Sequence, residues 1–148
     1  MKAGFVLNIA RFARWPLAGL EGREIPLCLL GEGSLDTVTE LLEGHLVRGR
    51  TVAVHRIESV EQVTSCAIVF IGAAMDEQLP QICAAAESGS TLTMSDSDGF
   101  ADRCVMINIV REGLRLTFEV NQRSALRARI QLSSELLKLG RLTDWHDG

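Results

Sequence analysis

Cys66-Ala-Ile-Val-Phe-Ile-Gly72 is apolar from Ala67 to Ile71 and closed by a glycine. It is too short for a buried helix and rich in β-branched residues, so it reads as a strand. Its continuous apolarity, without alternation, implies burial on both faces, the position of a parallel strand between helical layers. Ile25-Pro-Leu-Cys-Leu-Leu30, stopped by Gly31-Glu-Gly33, repeats the pattern upstream. If both runs are parallel strands of one sheet, Cys28 and Cys66 lie at the same end, where a Cα separation of about 5.5 Å lets them bond. On their count alone, the four cysteines fit ordinary buried thiols equally well.

The remaining segments fit the same architecture. Phe5, Ile9 and Phe12 give an opening helix one apolar stripe, ended at Trp15-Pro16. Ser34 caps a helix running to Leu42. Thr51–Ile57 alternates as a strand, and Ser59 and Gln62 are spaced as a capping box for a short helix. Asp76–Ala86 reads as helix and Thr91–Ser95 as strand. Strand alternating with helix predicts a layered α/β fold with mostly parallel pairing.

After Phe100 the rhythm changes. Val105–Arg111 and Leu114–Val120 are strands joined by Glu112-Gly113, a connection that favours an antiparallel hairpin. Asn121 then caps one long helix, with Leu126, Ile130, Leu132, Leu136, Leu137 and Leu139 as a broad apolar face and Gly140 as its stop. The expected fold is therefore a single α/β domain over residues 1–148. It has a mixed, mostly parallel sheet of about six strands, helices on both faces and a C-terminal antiparallel hairpin.

Composition narrows function. A net charge of −4 and an isoelectric point near 5.4 offer no basic footprint for nucleic acid. Cys66–Met75, the longest clearly apolar stretch, is half the roughly 20 residues that span a bilayer, which predicts a soluble chain. Met1-Lys2 leads directly into the amphipathic segment Ala3–Phe12, without the apolar core of a signal peptide.

Asp96-Ser-Asp98-Gly-Phe follows a strand, where α/β sheets bind ligands, and two carboxylates at i, i+2 could hold a hard cation. The same residues make an ordinary turn, and neither a third carboxylate nor a phosphate-clamping lysine accompanies them. His45, His55 and His146 lack zinc spacing, and Gly31-Glu-Gly-Ser34 lacks the ending of a phosphate loop. No Cys-x-x-Cys occurs. Cys83, on a helix, and Cys104, before a strand, form a second bridge or stay as buried thiols. No nucleophile, base and orienting acid assemble, so nothing points to an enzyme, a metal or a cofactor.

Several segments together resemble the YfiR family of small periplasmic proteins. They are Lys2-Ala-Gly-Phe-Val-Leu-Asn-Ile-Ala-Arg-Phe12 with Trp15-Pro16, Cys28-Leu-Leu-Gly31, Cys66-Ala-Ile-Val-Phe-Ile71, Leu92-Thr-Met-Ser-Asp96, Gly99-Phe-Ala101, Met106-Ile-Asn-Ile-Val110, Phe118-Glu-Val-Asn121 and Leu132-Ser-Ser-Glu-Leu-Leu137. The resemblance implies a secreted protein that represses a membrane-anchored diguanylate cyclase by binding its periplasmic portion, holding down cyclic di-GMP and biofilm formation. It also implies an outer-membrane lipoprotein that sequesters the repressor, and control by disulfide redox state. Cys28 and Cys66 match the family's cysteines. Where members commonly carry Gly-Gly before the Met-Ile-Asn strand, this chain has Cys104-Val105, so a second bridge is wired differently.

On this reading the partner contacts are Asp96, Glu119, Asn121 and Arg123, and a second copy of the chain is a further candidate partner. A small-ligand sensor using the carboxyl-end crevice is the alternative. A metal-dependent hydrolase built on Asp96 and Asp98 is the third.

Overall fold

The computed structural model describes residues 2–15, 24–31, 42–47 and 49–142. In chain order these form α1 (Lys2–Arg11), β1 (Ala13–Arg14), β2 (Glu24–Leu30), β3 (Leu46–Val47), β4 (Arg50–Ile57), a 3₁₀ turn (Val60–Ser65) and β5 (Ile68–Ile71). A second 3₁₀ turn (Ala73–Gln78) leads into α2 (Leu79–Gly89), β6 (Leu92–Ser95), α3 (Phe100–Arg103), β7 (Ile107–Glu112) and β8 (Arg115–Val120). The described chain closes with α4 (Gln122–Arg127), β9 (Gln131–Leu132), α5 (Ser134–Leu139) and β10 (Arg141–Leu142).

One sheet runs β10-β8-β7-β6-β5-β2-β4-β3. Five of its neighbouring pairs are parallel, and only β3–β4 and β7–β8 are antiparallel. The six longer strands are those expected from the sequence; β3 and β10, two residues each, extend the edges. Strand β2 lies between β4 and β5, so the chain leaves it first to one side and then to the other.

The two faces carry separate cores, as an interior strand's period of two requires. Leu27, Leu29, Ile68, Phe70, Met94 and Ile107 pack with Val6 and Ile9 of α1, Ala125 of α4 and Leu136 of α5. On the other face Cys28, Leu30, Val69 and Ile71 pack with Val63, Phe100 and the α2 residues Leu79, Ile82 and Ala86. All four residues of β5 are buried, so its unbroken apolarity does report helical layers on both sides.

Local chemistry explains the boundaries. Gln62 Oε1 accepts from the backbone N–H of Glu58 at 2.9 Å and of Ser59 at 3.1 Å, fixing the start of the first 3₁₀ turn. Pro80 sits in the first turn of α2, where its missing N–H costs nothing. Helix α2 ends on Ser90 in the left-handed region, with φ 54°. Gly89, beside it, abuts Thr64: an added Cβ would lie 2.9 Å from Thr64 Cα. Backbone cannot yield as a side-chain tip can, so Gly89→Ala should destabilise by about 2 kcal/mol, read as a lower urea midpoint with unchanged slope.

The single long helix expected after Asn121 is corrected to two short ones. Arg129 adopts φ 62°, which ends α4. Gln131–Leu132 then pairs antiparallel with Ala13–Arg14, and Ser133 Oγ caps α5 by accepting from Leu136 N at 3.1 Å. Leu126 and Leu139, assigned to one apolar face, are 64% and 68% exposed. The opening helix ends at Arg11, and Phe12 follows in a turn. The expected helix starting at Ser34 falls outside the described residues except at its end, Leu42, which is buried. In the hairpin, Glu112 pairs with Arg115, so the connection is Gly113-Leu114, with Gly113 at φ 64°.

Candidate functional site

Both disulfides lie on the α2 side of the sheet. Cys28 is bonded to Cys66 across a Cα separation of 6.1 Å. Cys28 sits inside β2, level with Val69 of β5, whereas Cys66 stands just before β5, so the bridge runs diagonally across the pair. Cys28 is therefore not at the mouth of its strand, because the ladder with β4 already starts at Glu24.

The backbone around Cys66 is held from three directions. Thr91 Oγ1 lies 2.7 Å from Cys66 O and 3.0 Å from Val63 O and donates to them from the buried end of α2. Ala67 N donates to Pro26 O at 2.9 Å. Ala67 O accepts from Leu92 N at 2.8 Å and from Trp15 Nε1 at 2.9 Å. Trp15 thus clamps the N-terminal segment onto the loop that carries the bridge.

Cys83 of α2 is bonded to Cys104 at the end of α3, again with a 6.1 Å Cα separation. The Arg103 guanidinium beside it pairs with the Asp76 carboxylate, donates to Asp76 O at 3.1 Å and lies 5.8 Å over the Phe100 ring. The bridge ties α3 to α2, and the ion pair ties it to the turn ahead of α2. Among the described residues no cysteine is free.

The expected partner contacts gather at the β6–β8 end of the sheet. Register places Ser95, Asn108 and Glu119 side by side on β6, β7 and β8, with Arg141 of β10 next to Glu119. Asp96 follows Ser95, and at about 4.8 Å per strand it lies on the order of 10 Å from Glu119. Asp96, Glu119 and Arg123 are each half-buried, and Asp98 is exposed. Glu119 alternates with the buried Phe118 and Val120, which it was expected to face away from.

Asn121 is the cap that its place ahead of a helix predicts. It is 4% exposed and spends its amide internally: Oδ1 accepts from Ser124 N at 3.1 Å and Nδ2 donates to Ala101 O at 2.8 Å. Besides capping α4, it ties α3 to the start of that helix. Asn121→Ala should cost about 2 kcal/mol, and Asn121→Ser, which keeps a capping oxygen without setting a charge against Ala101 O, about half of that. Thermal unfolding of the two variants measures the difference.

Sequence reasoning passed over Asn108. It is fully buried; Nδ2 donates to Ser97 O at 2.7 Å, and Oδ1 has no donor among the described residues. Ser95 Oγ beside it donates to Ile71 O at 2.7 Å. The available signal was an asparagine inside the apolar run Met106-Ile-Asn-Ile-Val110. The Asn108 bond holds the Asp96–Gly99 loop against β7, and the Ser95 bond ties the end of β6 to the end of β5.

At the carboxyl ends of β2 and β4 a crevice of about 400 Å³ is lined by Leu30, Gly31, Arg56, Ile57, Glu58 and Met75. Gly31 has φ +85°, and an added Cβ would lie 2.7 Å from Met75 Cγ, so glycine is what lets Met75 close on the strand end. His45 and His55 are exposed. Among the described residues no group of three or more His, Cys, Asp and Glu could hold a metal ion, and no helix is long and apolar enough to cross a membrane.

The model of the family described as YfiR/HmsC-like matches residues 1–141. No curated protein matches the chain. Among solved structures, a conserved domain protein from Vibrio cholerae O1 biovar El Tor is similar at TM-score 0.64 and 12% identity, over 96% of this chain and 60% of that one. An ABC domain from Streptococcus pneumonia, crystallised with L-Trp, is similar at TM-score 0.57 and 12% identity, over 80% of this chain and 55% of that one. At these identities the likeness speaks for the fold alone. The chain spans little more than half the length of either structure.

Proposed function

We propose, because the chain belongs to the YfiR/HmsC-like family, that it is a periplasmic regulator of cyclic di-GMP signalling that represses a membrane diguanylate cyclase by binding its periplasmic portion. The family match over residues 1–141 carries this reading. It spans both strands joined by the Cys28–Cys66 bridge and the sheet end that holds Asp96, Glu119 and Arg123. Those three side chains are the proposed contacts, and Asn121 and Asn108 are the frame beneath them.

Repression requires tighter binding to the inactive cyclase than to the active one. The bridge keeps β2 and β5 in the register on which that surface depends. Reduction lowers the competent fraction, and apparent affinity falls with it. Sequestration by an outer-membrane lipoprotein removes the repressor from the same equilibrium.

Titration of the oxidised protein against the purified periplasmic portion of the cyclase, followed by interferometry, tests the reading. Saturable binding, weakened at least tenfold by Glu119→Ala or Arg123→Ala without change in unfolding, is the expected result. Absence of binding by the oxidised, folded chain would end it.

The crevice favours a second reading, a small-ligand sensor, because it lies where ligands bind in open α/β sheets. A ligand at 100 times its dissociation constant would add about 2.7 kcal/mol of stability. Thermal-shift screening therefore separates this reading from the first.

A further inference from the structure

The two helical layers carry opposite charge. Residues 58–104, which supply the layer over the α2 side of the sheet, hold eight Asp and Glu and a single base, Arg103. Residues 2–15 and 121–140, which supply the layer over the α1 side, hold seven Lys and Arg and a single acid, Glu135. A chain of net charge −4 therefore keeps one strongly basic face.

The contacts within that face leave its charge in place. Arg11 donates to Leu46 O at 3.4 Å and to Asn8 Oδ1 at 3.5 Å, and Arg129 to Ser90 Oγ at 3.2 Å, all neutral acceptors. Arg14, Arg127 and Lys138 are exposed on β1, α4 and α5. The pairing of β1 with β9, and the bond from Ser133 N to Phe12 O at 3.1 Å, join these elements into one surface.

Apolar side chains share the surface with the cations. Leu126 of α4 and Leu139 of α5, both largely exposed, each adjoin a base in sequence, Arg127 and Lys138. Between α4 and the β1–β9 pair lies a hollow of about 410 Å³, lined by Phe12, Arg14, Leu126, Ile130 and Leu132. A guanidinium beside an apolar hollow, with leucines among the surrounding cations, matches the headgroup region of a bilayer, where phosphates overlie hydrocarbon. A purely polyanionic partner would engage the arginines and leave the leucines in water.

We infer that this face rests directly on an anionic membrane leaflet, with Arg14, Arg127 and Lys138 among the lipid phosphates and Leu126 reaching the top of the acyl region. The acidic layer then points away from the membrane. It lies across the sheet, a helix diameter and more from the basic face and so beyond the screening length of about 10 Å at 0.1 M salt. It therefore orients the molecule without cancelling the attraction. Binding to lipid does not depend on repression of a cyclase, and vesicles free of protein test it.

Flotation of the oxidised protein with phosphatidylcholine vesicles, with and without phosphatidylglycerol, is the experiment. The protein should float with the anionic vesicles alone, and should be released as ionic strength approaches 1 M, where the screening length is about 3 Å. Arg14→Glu combined with Arg127→Glu should weaken binding at least tenfold, and Lys138→Glu or Leu126→Ser several-fold. All four positions are exposed, so the urea midpoint should hold. Glu61→Gln with Glu77→Gln, exposed on the opposite layer, should leave binding within twofold of wild type. No flotation with anionic vesicles at low salt, equal flotation with phosphatidylcholine alone, or binding unmoved by the paired arginine replacements would each overturn the inference. So would equally tight binding to polyglutamate that Leu126→Ser does not alter, which would assign the face to an acidic protein.

Discussion

Replacing Cys28 and Cys66 together by alanine should lower the unfolding midpoint by about 10 °C and, on the proposed function, relieve repression of the cyclase. The bridge joins residues 38 apart in sequence. In the chain-entropy model a loop of that size contributes about 4 kcal/mol, between the values for much shorter and much longer loops. At roughly 2–4 °C per kcal/mol for a domain of this length, that is a shift of about 10 °C. The double replacement leaves no lone thiol to attack the Cys83–Cys104 bond, so the change belongs to one bridge. Alanine also avoids a buried hydroxyl, since Cys28 is 2% and Cys66 5% exposed. An unchanged midpoint with full repression would show that the bridge neither holds the fold nor gates binding.

Phe70→Ala should be comparably severe, at about 4 kcal/mol. Phe70 is 1% exposed in the central strand β5, level with Leu29 of β2 on one side and Met94 of β6 on the other. Its ring fills the α1-side core, where strands on both sides fix the backbone and little collapse can offset the cavity. Phe70→Leu keeps much of the volume and should cost about 1 kcal/mol. Urea unfolding distinguishes the two. Equal midpoints for Phe70→Ala and wild type would mean that the layer over this face is not packed as the fold requires.

The central strands were readable because their apolar runs are continuous and glycine closes them. Continuous burial has one common architectural cause, a parallel sheet covered on both faces. Gly113 marked the hairpin for a similarly local reason, a turn that needs positive φ. The C-terminal helix was misread because six apolar residues at helical spacing outweighed any visible stop. The break lies in the backbone of Arg129 and in the pairing of Gln131–Leu132 with a strand more than a hundred residues upstream. Two-residue strands such as β1, β3, β9 and β10 are too short to show a period at all.

At the site, chemistry was easier to read than exposure. Asn121 was recognisable as a cap from its place ahead of a helix, and only the tertiary bond to Ala101 O shows why it is buried. Glu119 was separable from its apolar neighbours by alternation. That Asp96 and Glu119 share one end of the sheet, with Asn108 between their strands, depends on strand order, which local sequence does not encode. The Cys83–Cys104 pairing likewise depends on how α3 lies against α2.

Turnover by the full-length membrane cyclase, reconstituted in vesicles with its periplasmic face accessible, is the most direct measure of the central claim. Adding the oxidised chain to that face should suppress cyclic di-GMP formation in a saturable way, and the chain with Cys28 and Cys66 replaced should suppress it at least tenfold less effectively. Turnover that is unaffected by saturating oxidised protein would contradict repression as the function of this chain.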